Sequence, residues 1–202
     1  MKKVIILLLM GTFLNSCVRS LYPLTENEKE MIFKEELLGK WKDKDGPEYL
    51  IDTLKGQNGK VYSIIEIMDK NKTLGSSEKF SDTSYFNGML VNIKGNYFMD
   101  CSAVMEQTQA KKWGESAAQS LLRTHFFIQI SNIQQNSIEL SALDPDKLSM
   151  LLKQKKINIR HEVINKEEIL LTEKSKMLQQ KLMELEKFSS AYGEKNRLIR
   201  IR

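Results

Sequence analysis

Along the middle of this chain, apolar and polar positions alternate with the period of strands. Phe126, Ile128 and Ile130 fall on one face of 124–132, with His125 and Gln129 on the other and Phe127 interrupting the polar face. Ile138, Leu140 and Ala142 likewise oppose Ser137, Glu139 and Ser141. A period of two marks a strand with one buried face. Runs rich in β-branched and aromatic residues predict further strands at 49–55, 60–68, 85–93 and 97–103, so the set ends with 124–132 and 137–143. In 61–68 both faces are apolar, which predicts burial on both sides. Asn58-Gly59 and Gly95-Asn96 tolerate the positive φ of tight hairpins, and Gln134-Gln135-Asn136 makes a slightly longer link.

Helical signals flank this block. Thr25-Glu26-Asn27-Glu28 has the form of a capping box, predicting a helix through Met31, Ile32, Glu35 and Leu38 that stops at Gly39. Asp144-Pro145 reads as an N-cap with proline at the first helical position, followed by Leu148, Leu151 and Leu152 on one face. After a strand pair near 157–163 and 168–171, Thr172 reads as the cap of a last helix. Its apolar stripe is Met177, Leu178, Leu182, Leu185 and Phe188. The polar segment 105–122, with Trp113, Ala117 and Leu121 at helical spacing, reads as a loop and a short helix. These elements predict an α+β protein that is mainly antiparallel β: a partly or fully closed β-barrel with an N-terminal helix and C-terminal helices.

The start of the chain has a different logic. Lys2-Lys3 is followed by an apolar run from Val4 to Leu14 and then by Asn15-Ser16-Cys17. The run is shorter than the roughly 20 residues that span a bilayer. Charge, apolar core and small residues are the order of an export signal. Leu14-Asn15-Ser16-Cys17 resembles the lipobox of bacterial lipoproteins, although Asn15 departs from the small residue usual there. The resemblance implies that residues 1–16 are removed, that Cys17 is acylated, and that 17–24 form a lipidated tether. Each buried methylene contributes about 0.8 kcal/mol, so several acyl chains anchor stably. Val18-Arg19-Ser20-Leu21 lacks the Asp that, in enterobacterial lipoproteins, retains the protein in the inner membrane. It also lacks an acidic surface-sorting cluster. The expected address is therefore the outer membrane, facing the periplasm.

Loss of Lys2 and Lys3 lowers the formal charge of +5 by two. Residues 151–202 carry 13 Lys and Arg against 7 Asp and Glu. Residues 191–202 read as a basic tail, either a solvated terminus or a contact for anionic headgroups. An exported chain gives no reason to expect nucleic acid. With 25–190 taken as one barrel-like domain, the chain reads as signal, tether, domain and tail.

Catalytic patterns are sparse. His125 and His161 are the only histidines, too few for a zinc site without acidic or thiolate help. Asp52, Asp69 and Asp100 lie in or beside strands, where an inward pair would serve as acid and base. The sequence has no Gly-x-Ser-x-Gly elbow and no phosphate-cradling glycine loop. Cys101 is either a nucleophile or a small buried hydrophobe, and with Cys17 acylated it has no disulfide partner. No enzyme activity, cofactor or metal is expected.

Leu37-Leu38-Gly39-Lys40-Trp41 precedes Tyr49-Leu50-Ile51-Asp52. Further on come Leu90-Val91-Asn92-Ile93-Lys94-Gly95-Asn96-Tyr97-Phe98-Met99-Asp100, Thr124-His125-Phe126-Phe127 and Ile169-Leu170-Leu171-Thr172. In this order they resemble a group of uncharacterised lipoproteins from Gram-negative bacteria, which implies an architecture and not a reaction. Gly39-Lys40-Trp41 is similar to the Gly-x-Trp of lipocalins, whose tryptophan plugs the closed end of a barrel. The other reading of Trp41 is a core aromatic beside a helix end. The expected function is binding of an apolar or amphiphilic ligand by a membrane-tethered lipoprotein, with Trp41, Tyr62, Ile64, Phe86, Tyr97 and Phe127 as lining. The alternatives are an assembly protein that acts through protein contacts with an envelope partner, and a hydrolase. If the lipobox reading holds, a palmitate analogue fed to cells labels the wild type and not Cys17→Ser; equal labelling of both contradicts it.

Overall fold

The structure, a computed structural model, describes residues 18–44, 46–55, 59–69, 81–104, 123–164, 168–188 and 191–202. Strands β1 (Arg19–Ser20), β2 (Met31–Ile32), β3 (Gly39–Asp43), β4 (Glu48–Thr53), β5 (Val61–Asp69), β6 (Ser81–Ile93), β7 (Asn96–Ala103), β8 (His125–Ser131) and β9 (Ser137–Ala142) come first. Helix α1 (Pro145–Lys153), β10 (His161–Ile164), β11 (Glu168–Leu171), α2 (Ser175–Leu185) and β12 (Asn196–Ile201) follow. Strands β3 to β9 form an antiparallel meander. Strand β12 pairs with β3 on one side and β9 on the other, and β8 pairs with β9, so the eight-stranded barrel closes. Beyond the point where β9 leaves β8, the sheet continues outward as β1, β11 and β10. Every described strand and helix begins at or after Val18.

The period-two pattern places the side chains. Trp41, Tyr62, Ile64, Leu90, Met99, Cys101, Ile130, Ile138 and Leu198 face inward and are buried together. Val91, Ile93, Phe98 and Phe127 face outward and are covered by Leu148 and Leu151 of α1 and by Leu178, Leu182 and Leu185 of α2. The barrel wall is thus apolar on both sides along β6 to β8. Strand β5 is apolar on both faces too, but the burial expected on both sides is corrected: Ile67 on its outer face is exposed.

Five further expectations are corrected. No α-helix follows Thr25. The Thr25 hydroxyl accepts from the Asn27 amide at 3.0 Å, Asn27 Oδ1 accepts from the Lys29 amide at 3.1 Å, and Thr25 donates to Glu30 at 2.8 Å. These local bonds compete with a helix. Met31 and Ile32 then pair with Val91 and Leu90, leaving only a 3-10 turn at Glu35–Leu37. Residues 18–24 are no free tether: Val18 and Leu24 are buried, and β1 is laid parallel to β11. The basic tail is a barrel strand whose inward Leu198 is buried. The hairpin after β6 turns on Lys94 (φ 50°) and Gly95 (φ 91°), one residue earlier than expected, so Asn96 already pairs with Ile93. The last helix starts at Ser175 without a side-chain cap, because the Thr172 amide donates to the Arg160 carbonyl at 2.9 Å. Asp144, by contrast, caps α1 as expected, accepting from the Lys147 amide at 3.0 Å. The loop and helix expected at 105–122, and Asn58, lie outside the described residues.

One end of the barrel is plugged. The Arg200 guanidinium lies 4.2 Å from the Trp41 ring centroid and donates to the carbonyls of Leu38 (2.5 Å), Glu36 (2.6 Å) and Gln135 (2.6 Å). Trp41 Nε1 donates to the Leu37 carbonyl at 2.9 Å. Three successive carbonyls at the end of the 3-10 turn are thereby satisfied by side chains. Gly39, at φ 125°, is required here because a Cβ would stand 2.5 Å from Arg200 Nη1. Trp41 is fully buried, and removing a buried large aromatic costs about 3–5 kcal/mol. Trp41→Ala is therefore expected to lower the denaturant midpoint sharply, and an unchanged midpoint would contradict the plug.

Candidate functional site

The two halves of the barrel interior differ. In the plugged half, Leu37, Trp41, Tyr62 and Leu90 have no accessible surface. Phe33 stacks on Tyr62 with centroids 5.1 Å apart, and the Tyr62 hydroxyl accepts from the Lys34 amide at 2.7 Å. The middle is filled as well: a Cβ on Gly88 would stand 2.8 Å from both Ile64 Cδ1 and Met99 Sδ. Toward the other end, Tyr49, Phe86, Phe126, Ile128 and Leu140 pack on the same cluster but keep part of their surface accessible. Phe86 and Phe126 meet edge to face at 5.5 Å.

Among the described residues, this half holds a hydrogen-bonded carboxyl–phenol pair. Glu66 and Tyr49 are cross-strand neighbours, and the Tyr49 hydroxyl donates to Glu66 Oε1 at 3.1 Å. Glu66 is buried. Burial pushes its carboxyl above the ordinary range, while the Tyr49 hydrogen bond pulls the other way. No ion pair reaches Glu66 among the described residues. Tyr49 is pushed upward in turn, first by burial and then by the Glu66 charge. Cys101 lies in the same interior, and burial raises its thiol strongly. A thiol held protonated is a poor nucleophile, which favours its reading as a buried hydrophobe.

A second polar cluster sits on the outer side of the wall. Asp100, fully buried, has its Oδ1 2.7 Å from His125 Nδ1, and its Oδ2 accepts from the Leu24 amide at 2.6 Å. Gln179 of α2 donates to the Leu24 carbonyl at 2.8 Å, so the pair clamps the N-terminal segment between β7 and α2. His161 Nδ1 donates to the Ile159 carbonyl at 2.8 Å. Asp52 is exposed on the outer wall of β4 and does not meet Asp100, and the Asp69 side chain lies outside the described residues. Among the described residues, no group of three His, Cys, Asp or Glu is placed to hold a metal, and no helix is long and apolar enough to cross a membrane. A concavity of about 330 Å³ on the outer wall, lined by Leu50, Asp52, Lys55, Ser63 and Ile65 among others, faces away from the lumen.

Of the expected lining residues, Trp41, Tyr62 and Ile64 are packed into the plugged half and the middle. Tyr97 lies at the plugged end beneath Lys34 Nζ, 4.8 Å from its ring centroid. Phe86 packs toward the other end, against Phe126. Phe127 is corrected: its register opposite Asp100 turns it outward, into the layer covered by α1 and α2. Glu66 and Tyr49 were missed. The signal was available, because Glu66 is the only charged residue from Val61 to Met68. Reading both faces of that strand as apolar hid which face it occupies. The Asp100–His125 pair joins residues of neighbouring strands, which sequence spacing does not reveal.

No protein-family model, curated protein or solved structure matches this chain. The class is defined by the fold itself: a closed, eight-stranded, lipocalin-like α+β barrel with two helices among the described residues.

The raised Glu66 carboxyl has a pH consequence. The folded protein holds a proton on Glu66 at pH values where the unfolded chain has released it. Stability is therefore lost as pH rises from the ordinary carboxyl range through the raised value, and this penalty vanishes in acid where both states are protonated. Glu66→Gln is expected to match the wild type in acid and to exceed it in urea midpoint at neutral pH. A variant less stable than wild type at neutral pH alone would show that the carboxylate has a stabilising counter-charge.

Proposed function

We propose that this protein is a lipid-anchored envelope protein whose barrel binds one small apolar or amphiphilic molecule in its open half. The observation that carries this reading is the Tyr49–Glu66 pair, a polar spot inside an otherwise apolar, aromatic wall that keeps accessible surface. Such a wall takes an alkyl or aromatic body by burial of apolar area, and a few placed polar groups fix its orientation. The ligand's head would hydrogen-bond to Glu66 or Tyr49 while its body lies along Phe86, Phe126 and Ile128. The export signal and Cys17 support a lipid anchor, and the absence of Asp at residue 18 supports the outer membrane with the domain in the periplasm. A non-enzymatic role is supported by the placement of Asp100 and His125, which are separated from the lumen by the barrel wall.

A second reading, an assembly lipoprotein working through protein contacts, is favoured by the outer edge of β10, which pairs on one side only among the described residues.

Because every described element starts at or after Val18, residues 18–202 provide a soluble form for titration with N-phenyl-1-naphthylamine, a neutral apolar probe. Ligand binding predicts saturable, blue-shifted emission at one probe per chain. Phe86→Ala weakens it roughly two- to tenfold, the factor that about 0.5–1.5 kcal/mol of aromatic contact represents. Emission that never saturates, or that is identical in Phe86→Ala, contradicts this reading. Absence of binding together with a stable oligomer favours the second.

A further inference from the structure

We infer that the molecule held in the barrel carries a positively charged, hydrogen-bond-donating head, a protonated amine on an apolar body, with Glu66 as its counter-ion. The inference rests on the ligand-binding part of the proposed function and names the class of ligand.

Register sets the receptor. Tyr62 and Ile64 face the barrel interior, so Glu66, two residues further along β5, shares their face. Glu66 pairs with Tyr49 on β4 and with Ser84 on β6, and Phe86 is its diagonal neighbour. Phe86 in turn meets Phe126 edge to face. Trp41 also faces inward, which puts Asp43, two residues on in β3 and opposite the inward Leu198, on the interior side. Tyr49 feels both carboxyl groups: its phenol is pushed upward by burial first, then by Glu66, and by Asp43 as well.

The hydrogen bonding of the pair is one-sided. Tyr49 donates its single hydroxyl proton to Glu66 Oε1. The pair is left with acceptors: the lone pairs of the Tyr49 oxygen, and Glu66 Oε2, which has no hydrogen-bond partner among the described residues. Glu66 is only 9% exposed, so water cannot replace a partner in full. No ion pair reaches Glu66 or Asp43 among the described residues, and Arg200 is committed to three carbonyls at the Trp41 end. A buried carboxylate without a counter-charge is costly. Burial raises the affinity of Glu66 for a proton, and a ligand ammonium meets the same demand.

This chemistry selects the head. An ammonium brings three donors and no acceptor. A carboxylate or phosphate head would bring acceptors and like charge to Glu66 and Asp43, and an alcohol brings a single donor. The rings of Tyr49, Phe86 and Phe126 add to the selection, because an aromatic quadrupole attracts a cation. A metal ion suits the site less well, since among the described residues no three His, Cys, Asp or Glu are grouped to ligate one.

The test titrates the soluble form, residues 18–202, at neutral pH with octylammonium, octan-1-ol and octanoate, which share one body and differ in the head. Each is followed by isothermal titration calorimetry. Octylammonium is expected to bind at least about tenfold more tightly than the alcohol, the factor that a hydrogen bond to a charged group represents, and octanoate to bind least tightly. Glu66→Gln is expected to abolish the preference for the amine over the alcohol. Asp52→Asn, the same change of charge on the outer wall, keeps it. Equal binding of all three, or tighter binding of the alcohol or octanoate, overturns the inference and leaves the ligand-binding reading intact. A preference for the amine that persists in Glu66→Gln overturns it too. Binding of none of the three overturns both.

Discussion

The contact between Arg200 and Trp41 is the constraint on which the rest of the barrel depends. An eight-stranded meander closes only if its last strand finds the first, and here the two are separated by most of the chain. Strand β12 makes that closure, and Arg200 fastens it from inside by stacking on Trp41 of β3 and binding carbonyls at 36, 38 and 135. Hydrogen bonds to a charged donor contribute about 1.5–3 kcal/mol each when shielded from water. The guanidinium is partly exposed, so each contributes less here. Their value also lies in position: they join β12, the 3-10 turn and the β8–β9 hairpin at one point. Gly39 belongs to the same device, since its missing Cβ is the space the guanidinium occupies.

That plug sets the asymmetry of the interior. Large side chains fill the barrel from the Trp41 end to Gly88, and Tyr49, Glu66, Phe86 and Phe126 lie toward the other end. A carboxyl placed there costs stability, as its raised affinity for a proton shows. Such costs persist where surrounding structure holds the group in place, and they cluster at functional sites. The Asp100–His125 pair has a different task. It bonds the Leu24 amide and keeps the N-terminal segment on the outer wall, next to α2. Polar chemistry is thus divided by the wall, with a buried carboxyl–phenol pair inside and a structural pair outside.

Much of this architecture was legible in the sequence, and the misses have physical causes. The inward set of β8 and β9 was readable because, apart from Phe127, the outward positions carry polar side chains and so preserve the alternation. Along β5 the pattern failed, since Val61, Ile65 and Ile67 on the outer face are as apolar as Tyr62 and Ile64 on the inner one, and Glu66 lost its context. The capping-box pattern at Thr25 made no cap: its hydroxyl bonds Asn27 and Glu30, and Met31 and Ile32 pair with β6. The C-terminal strand read as a tail because Arg197, Arg200 and Arg202 obscure the alternation around Leu198. Arginine inside a barrel is unusual, and its role is defined by partners 65 to more than 150 residues earlier. The Gly39-Lys40-Trp41 triplet pointed to a plug, though nothing in it named Arg200 as the lid.

The closure of the barrel by its last strand is the claim to which the other arguments return. It is tested most directly by native-state amide hydrogen exchange, resolved by residue. The amides of Leu198 and Arg200 sit in a strand hydrogen-bonded on both sides, so they should exchange only through global unfolding, as slowly as those of β7 in the barrel's centre. Exchange of residues 196–201 at the rate of a frayed terminus, while β6 and β7 stay protected, would show an open sheet with a free tail and would contradict the account.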